Sequence, residues 1–190
     1  MIWDFLQYIA ALFIIMDPLA NLPIFWHFSL GLSDDTRHRM ANRVIVIAGI
    51  VLLLFLFLGL KILALFGIAF TSFKIAGGIV LLILGVRIIG WQHAHEERLK
   101  NYHDAIVPIA VPLLVGPGAI TTVIIFTSKL GYLITFAGAM SVLLVSWLIF
   151  FNARRVMSIF GREGSEAISR VMALLIIAFA VQFIRDGLLG

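Results

Sequence analysis

The chain has 190 residues, of which 62% are hydrophobic and only 13% are charged, and its formal net charge is +4. Soluble domains are about 45–50% apolar and about 25% charged, and a soluble fold of this size cannot bury so much apolar surface. The composition therefore excludes a soluble enzyme domain, a nucleic-acid binder and a disordered linker. It predicts that a lipid bilayer is the solvent for most of the chain. The absence of cysteine excludes disulfides and thiolate metal sites.

Six apolar segments follow one another along the chain, each near the roughly 20 residues that a spanning helix needs. They cover 3–28, 44–65, 73–91, 105–127, 132–151 and 168–184. We therefore predict an all-α membrane protein with six transmembrane helices in a single domain, 1–190.

The loops between these segments differ in their content of Lys and Arg. The first, third and fifth loops and their flanks carry ten of these residues, whereas the other side carries four. We predict a multi-pass protein of a bacterial or archaeal cytoplasmic membrane. Because cytoplasmic loops are enriched in Lys and Arg, its first, third and fifth loops are predicted to be cytoplasmic. Both termini are then outside.

The two halves of the chain share landmarks that indicate a duplication. The pattern Pro-Leu-x-x-x-Pro occurs at 18–23 and again at 112–117, an offset of 94 residues. Small residues seven apart recur at an offset of 95, as Gly78 with Gly85 and as Ala173 with Ala180. Three spans in each half would insert the second copy in the opposite sense, which is typical of secondary transporters. We predict an inverted repeat, with repeat one at about 1–91, a polar loop at 92–104 and repeat two at about 105–190.

The paired prolines predict that helices 1 and 4 are broken near the membrane midplane. A proline inside a helix removes one hydrogen bond and frees the carbonyl four residues earlier. Such a carbonyl can accept from an ammonium group, while the N-terminus of the next half-helix attracts a carboxylate. An amino-acid zwitterion suits a site with both features. A simple kink is the alternative interpretation.

Asp17 is the acidic residue that lies far from either predicted interface. A charge near the midplane is unfavourable by about 2.5 kcal/mol or more, so this carboxyl is neutral, paired or in a wet cavity. That makes it a candidate proton carrier. The alternative is an N-cap for the half-helix that follows the break, and the two roles can coexist.

Asn21, Thr121 and Thr122 are polar residues beside the two predicted breaks. Threonine in a membrane helix can instead bond to its own backbone. The candidate substrate-binding residues are Asp17, Pro18, Ala20, Asn21, Pro23, Gly116, Pro117, Gly118, Ala119, Thr121 and Thr122.

Other chemistry finds little support in the sequence. His93 and His95 are interpreted as part of a solvated polar loop, so we expect no metal site and no cofactor. An intramembrane aspartyl protease would need a second buried Asp, and a Gly-x-Ser-x-Gly motif is absent. We therefore expect no enzymatic activity and no catalytic residue.

The stretches 16–25 (MDPLANLPIF) and 111–122 (VPLLVGPGAITT) resemble the signatures of the MarC family of integral membrane proteins. Segments 76–79 and 170–182 also resemble family patterns. One departure is Ala20, where the family usually has glycine, and alanine tolerates a positive φ less well. The resemblance implies six spans and kinship with SnatA-type transporters, which move glycine and alanine with the proton gradient.

The leading hypothesis is thus a proton-coupled secondary transporter of small neutral amino acids, with sodium as the other possible coupling ion. Its expected partners are the substrate, the coupling ion and the lipid bilayer, without nucleic acid. The alternative is an efflux transporter for other small molecules or drugs. Import versus export and the oligomeric state stay open.

Overall fold

The computed structural model describes residues 2–90 and 102–189, which form helices without a strand. The α-helices are α1 (Ile2–Met16), α2 (Pro18–Ser29), α3 (Asp34–Leu65), α4 (Phe70–Gly90), α5 (Tyr102–Pro108), α6 (Pro117–Leu130), α7 (Tyr132–Phe151) and α8 (Ala153–Leu188). A short π-helical segment, Ile109–Leu114, lies between α5 and α6. The predicted all-α class is confirmed for this part of the chain.

Several helical stretches are long and apolar enough to cross a membrane. Four qualify on their own, namely Trp3–Ser29, Asp34–Leu65, Tyr132–Phe151 and Arg170–Leu188. A fifth is formed by Ala105–Leu114 and Pro117–Leu130, which are bent by 49°. The shorter apolar helix Phe70–Val86 lies in α4. The described residues therefore form a multi-pass membrane protein with four or five candidate spans, and the number six stays a prediction.

Two helices extend well beyond the apolar segments expected from the sequence. α3 begins at Asp34 rather than near residue 44 because Ser33 caps it, with Oγ accepting from the backbone N–H of Thr36 at 3.3 Å. Acidic residues in the first turn add a favourable interaction with the helix dipole. α8 begins at Ala153 and changes direction at Gly161, where φ is 62°. A stretch rich in charged residues thus precedes the apolar part of each helix.

The outer face of α3 is as apolar as its inner face. Val46, Ile50, Leu54 and Phe57 are exposed, while the opposite side of the helix is buried in the protein core. A helix that is hydrophobic on all sides is typical of a membrane span. This pattern agrees with lipid as the solvent for the exposed face.

α4 and α8 pack closely along a seam of small residues, defined here as Gly78, Gly85, Ala173 and Ala180. A Cβ atom added to Gly78 would lie 2.7 Å from the carbonyl oxygen of Ala180. One added to Gly85 would lie 3.1 Å from the carbonyl oxygen of Ala173. Residue numbers rise along α4 as they fall along α8, so the two helices are antiparallel. The glycine face of the third predicted segment therefore makes its contacts within the chain.

Candidate functional site

The first helix break is a single residue, Asp17. It lies between α1 and α2 with φ 41° and ψ 64°, and it has the one positive φ of a non-glycine residue in the described chain. Asp and Asn are the residues that adopt this left-handed conformation most readily after glycine. The side chain caps α2, since Oδ1 accepts from the backbone N–H of Ala20 at 3.1 Å. The capping interpretation is confirmed, and the sharp turn occurs at Asp17 rather than at Ala20.

The chain between Pro18 and Pro23 is helical, so the break of helix 1 lies at Asp17 and not between the two prolines. Pro18 occupies the first turn of α2, where a missing N–H has no effect on the helix. Pro23 lies inside α2, which continues to Ser29. One internal proline removes only one hydrogen bond, and the neighbouring turns hold the helix together.

The second helix break is longer and more irregular. Val111 has extended backbone angles inside the π-helical segment, and the Val111–Pro112 peptide bond is cis. The N–H of Val115 then donates to the carbonyl of Ala110 at 2.9 Å. Gly116 precedes α6 without a side-chain cap. The predicted break of helix 4 is confirmed, and it covers several residues where the first break covers one.

Asn21 connects the two breaks. Its Nδ2 lies 3.1 Å from the carbonyl oxygens of both Met16 and Asp17, and 3.4 Å from that of Leu113. The Leu113 carbonyl is the one that Pro117 frees in the second half of the chain. The amide of the first break therefore satisfies a carbonyl of the second.

A second contact between the breaks involves α1 and α6. A Cβ atom added to Gly118 would lie 3.0 Å from Cγ2 of Ile15, two residues before Asp17. The start of α6 therefore lies beside the end of α1. The structure thus brings the two groups of sequence-predicted residues, 17–21 and 116–122, to one place.

The carboxyl group of Asp17 is only half satisfied. Asp17 is 5% exposed, and Oδ2 has no hydrogen-bond partner in the described chain. Proteins rarely leave a buried polar atom in this state, because the loss of its hydration is not compensated. Oδ2 is therefore an acceptor available for a proton or a cation.

The neighbouring threonines of α6 differ from each other. Both are buried, with Thr121 4% and Thr122 0% exposed. Thr122 donates to the carbonyl of Gly118 at 2.8 Å, which is the self-contained bond expected in membrane helices. The hydroxyl of Thr121 makes no hydrogen bond within residues 2–90 and 102–189.

The N-termini of α2 and α6 differ in their capping. Asp17 caps α2, whereas α6 begins at Pro117 after an uncapped glycine, so the N–H groups of Gly118 and Ala119 have no side-chain acceptor. Pro112 and Pro117 are exposed. Irregular backbone at membrane depth is tolerated where it lines a polar cavity or lies within protein. The site therefore combines an acceptor at α2 with free donors at α6.

Sequence reasoning missed the contribution of α4 to this site. The side chain of Thr121 packs directly on Gly77, where an added Cβ would lie 2.7 Å from Oγ1. Leu81, one turn along α4, packs on Gly118. The Gly77–Gly78 pair was the available signal, since adjacent glycines in an apolar helix allow close contacts on two faces.

Other polar residues lie away from the two breaks or outside the described residues. His93 and His95 are outside the described residues, and the described residues contain no cluster of His, Asp and Glu that could hold a metal ion. Gln182 donates to Oδ1 of Asp186 on its own helix at 2.8 Å.

Comparisons with known proteins agree on a membrane protein family. The model of the MarC family integral membrane proteins matches residues 3–190. A UPF0056 membrane protein of Archaeoglobus fulgidus is 35% identical over 94% of this chain and 89% of its own length. Others from Pyrococcus abyssi (31% identical, covering 95% and 92%) and Methanocaldococcus jannaschii (32%, covering 98% and 96%) are similar. No solved structure matches the chain.

Proposed function

The chain belongs to the MarC family of integral membrane proteins, and we propose that it is a proton-coupled secondary transporter of small neutral amino acids such as glycine and alanine. The substrate binds between the two helix breaks. One observation carries the proposal: the breaks meet around a buried carboxyl group with one oxygen that has no partner in the described chain. A proton or the ammonium group of a substrate would supply that partner.

The polarity of the site supports a substrate without a charged side chain. Asp17 is the ionisable residue at the first break, and the buried polar residues Asn21, Thr121 and Thr122 beside the two breaks are neutral. A zwitterion needs one acceptor for its ammonium group and donors for its carboxylate. Asp17 Oδ2 and the start of α6 offer these two complementary ends. A second charge on the substrate would be buried without a partner, which is strongly unfavourable.

The seam between α4 and α8 supports an inverted repeat. An offset of 95 carries Gly78 to Ala173 and Gly85 to Ala180. Exchanging each residue for its counterpart therefore turns the contact between Gly78 and Ala180 into the contact between Ala173 and Gly85, which also occurs. A two-fold axis between two copies of opposite orientation gives this reciprocal pairing.

A contact between α3 and α7 agrees with the same axis. Gly49 and Leu143 differ by 94 positions, and a Cβ atom on Gly49 would lie 3.5 Å from Cδ1 of Leu143. The offset therefore carries one of these residues onto the other, as expected next to the axis. The polar groups do not follow the repeat, because the positions that match Asp17 and Asn21 are Val111 and Val115.

Contacts at the two ends of the bundle support six spans with both termini on the same side. At one end, Arg154 at the start of α8 lies 4.0 Å from Asp34 at the start of α3. At the other end, Lys129 of α6 lies 3.9 Å from Asp186, and Lys74 of α4 donates to the carbonyl of Asp186 at 3.4 Å. The Lys and Arg distribution supports a cytoplasmic location for the first of these ends, with both termini outside.

Uptake by purified protein in liposomes tests the proposal. Labelled glycine and alanine are offered under an imposed pH gradient to the wild type, to Asp17→Asn and to the control Asp35→Asn. Asparagine can cap a helix and tolerates a left-handed backbone, so the Asp17 variant keeps its local fold. We expect gradient-driven uptake by the wild type and the control, and no stimulation by the gradient in Asp17→Asn. A sodium gradient in place of the pH gradient identifies the coupling ion.

Two results would contradict the proposal in different ways. An unchanged response of Asp17→Asn to the pH gradient would contradict the proton role of this carboxyl group. Absence of uptake by folded wild-type protein, with either amino acid and either gradient, would contradict the substrate class.

A further inference from the structure

Thr121 is unusual among the buried hydroxyl residues of α6 and α7. Thr122, Thr127, Thr135 and Ser146 each donate to the carbonyl four residues earlier, at 2.7–2.8 Å. Thr121 is equally buried, and its hydroxyl makes no such bond in the described chain. A hydroxyl that is not bonded to its own backbone, on a side chain that is nearly buried, is available to another partner.

The side chain of Thr121 leans toward the uncapped start of α6. In an α-helix each Cα–Cβ bond tilts toward the N-terminus, so a side chain covers the turn that precedes it. For Thr121 that turn begins at Pro117 and includes Gly118 and Ala119, whose N–H groups lack a side-chain cap. The hydroxyl and these N–H groups are all donors, and they occupy the positive end of the helix dipole.

Gly77 of α4 lies directly against the side chain of Thr121. The absence of a side chain at Gly77 leaves room for the side chain of Thr121, because a Cβ atom there would overlap it. Ile15 of α1, two residues before Asp17, packs on Gly118. The donors of α6 and the unpartnered oxygen of Asp17 therefore lie on neighbouring elements.

We propose that the N-terminus of α6 and the Thr121 hydroxyl bind the carboxylate of the substrate, while Asp17 faces its ammonium group. This inference rests on the proposed function and deepens it by giving the amino acid one fixed orientation. The opposite orientation is unfavourable, because it would place a carboxylate beside Asp17 and an ammonium group at the positive end of α6. The start of α2 cannot substitute, since Asp17 already caps it.

Isosteric variants of two threonines on α6 test this assignment. Thr121→Val removes the free hydroxyl, Thr121→Ser retains it, and the control Thr127→Val removes a hydroxyl that is bonded to Val123. For labelled glycine we expect KM to rise about tenfold or more in Thr121→Val, as for the loss of a hydrogen bond to a charged group. Thr121→Ser and Thr127→Val are expected to stay near the wild-type value.

Competition by glycinamide, which has the ammonium group and no carboxylate, identifies the end of the substrate concerned. We expect its inhibition constant to be the same in the wild type and in Thr121→Val. Equal KM values for glycine in Thr121→Val and Thr127→Val would overturn the inference. A parallel loss of affinity for glycine and glycinamide would also overturn it. Both results differ from failure of the proposed function, in which the wild type transports no amino acid.

Discussion

The seam between α4 and α8 leads to a prediction of opposite signs for two glycine-to-alanine changes. At Gly78 an added Cβ would lie 2.7 Å from the carbonyl oxygen of Ala180 and 3.1 Å from the backbone N of Ile184. Backbone atoms cannot turn aside as a flexible side chain can, so the two helices must move apart. We expect Gly78→Ala to lower the free energy of unfolding by about 1–3 kcal/mol, as for other overpacked interiors.

Gly49→Ala is the matched control for this prediction. Its Cβ would meet Cδ1 of Leu143 at 3.5 Å, an ordinary van der Waals distance to a movable side chain. Alanine is preferred to glycine in a helix interior by roughly 0.5–1 kcal/mol. We therefore expect Gly49→Ala to be neutral or to gain up to about that amount. Reversible unfolding in mixed micelles with increasing SDS, followed by circular dichroism, measures both variants. Stability of Gly78→Ala equal to that of Gly49→Ala would refute the reasoning about the seam.

Two further predictions concern the link between the breaks and the topology. Asn21→Leu keeps the size of the side chain and removes its hydrogen bond to Leu113. We expect the free energy of unfolding to fall by about 1–3 kcal/mol in the same assay, because buried carbonyls lose their donor. Unchanged stability would show that this amide does not hold the breaks together. The chain has no cysteine, so single cysteines report topology directly. A membrane-impermeant thiol reagent is expected to label Ser72→Cys in intact cells and Asp35→Cys only after permeabilisation, and the reverse pattern would invert the proposed orientation.

The apolar parts of the helices could be predicted because they depend on the length and composition of apolar segments, whereas the polar starts of α3 and α8 were missed. Pro112 and Pro117 likewise predicted where the second break lies. The shape of each break depends on tertiary contacts, so the sequence did not predict it. The sequence placed two prolines in the first span, yet the chain turns at Asp17 and α2 continues through Pro23. Neighbouring helices and the cap at Asp17 decide which of these residues ends a helix.

The adjacent threonines show a second kind of limit. Thr121 and Thr122 have the same chemistry and the same sequence surroundings, so composition and spacing cannot distinguish their hydroxyl groups. Thr122 donates to Gly118, whereas Thr121 faces α4 at Gly77. The difference comes from which face of α6 another helix covers. Only the packing of α4 on α6 distinguishes the two hydroxyl groups.

If the two halves form the proposed inverted repeat, their unequal polarity has a consequence for the resting state of the proposed transporter. With identical inverted halves, the inward-open and outward-open states would be related by a two-fold rotation and would have equal free energy and equal population. The positions that correspond to Asp17 and Asn21 in the second half hold Val111 and Val115, so the two states no longer have equal free energy. A single net hydrogen bond, worth about 0.5–1.5 kcal/mol, biases two such states by roughly two- to twelvefold. In the proposed transporter, the same side chains that bridge the breaks would therefore also set which side of the membrane the empty protein faces more often.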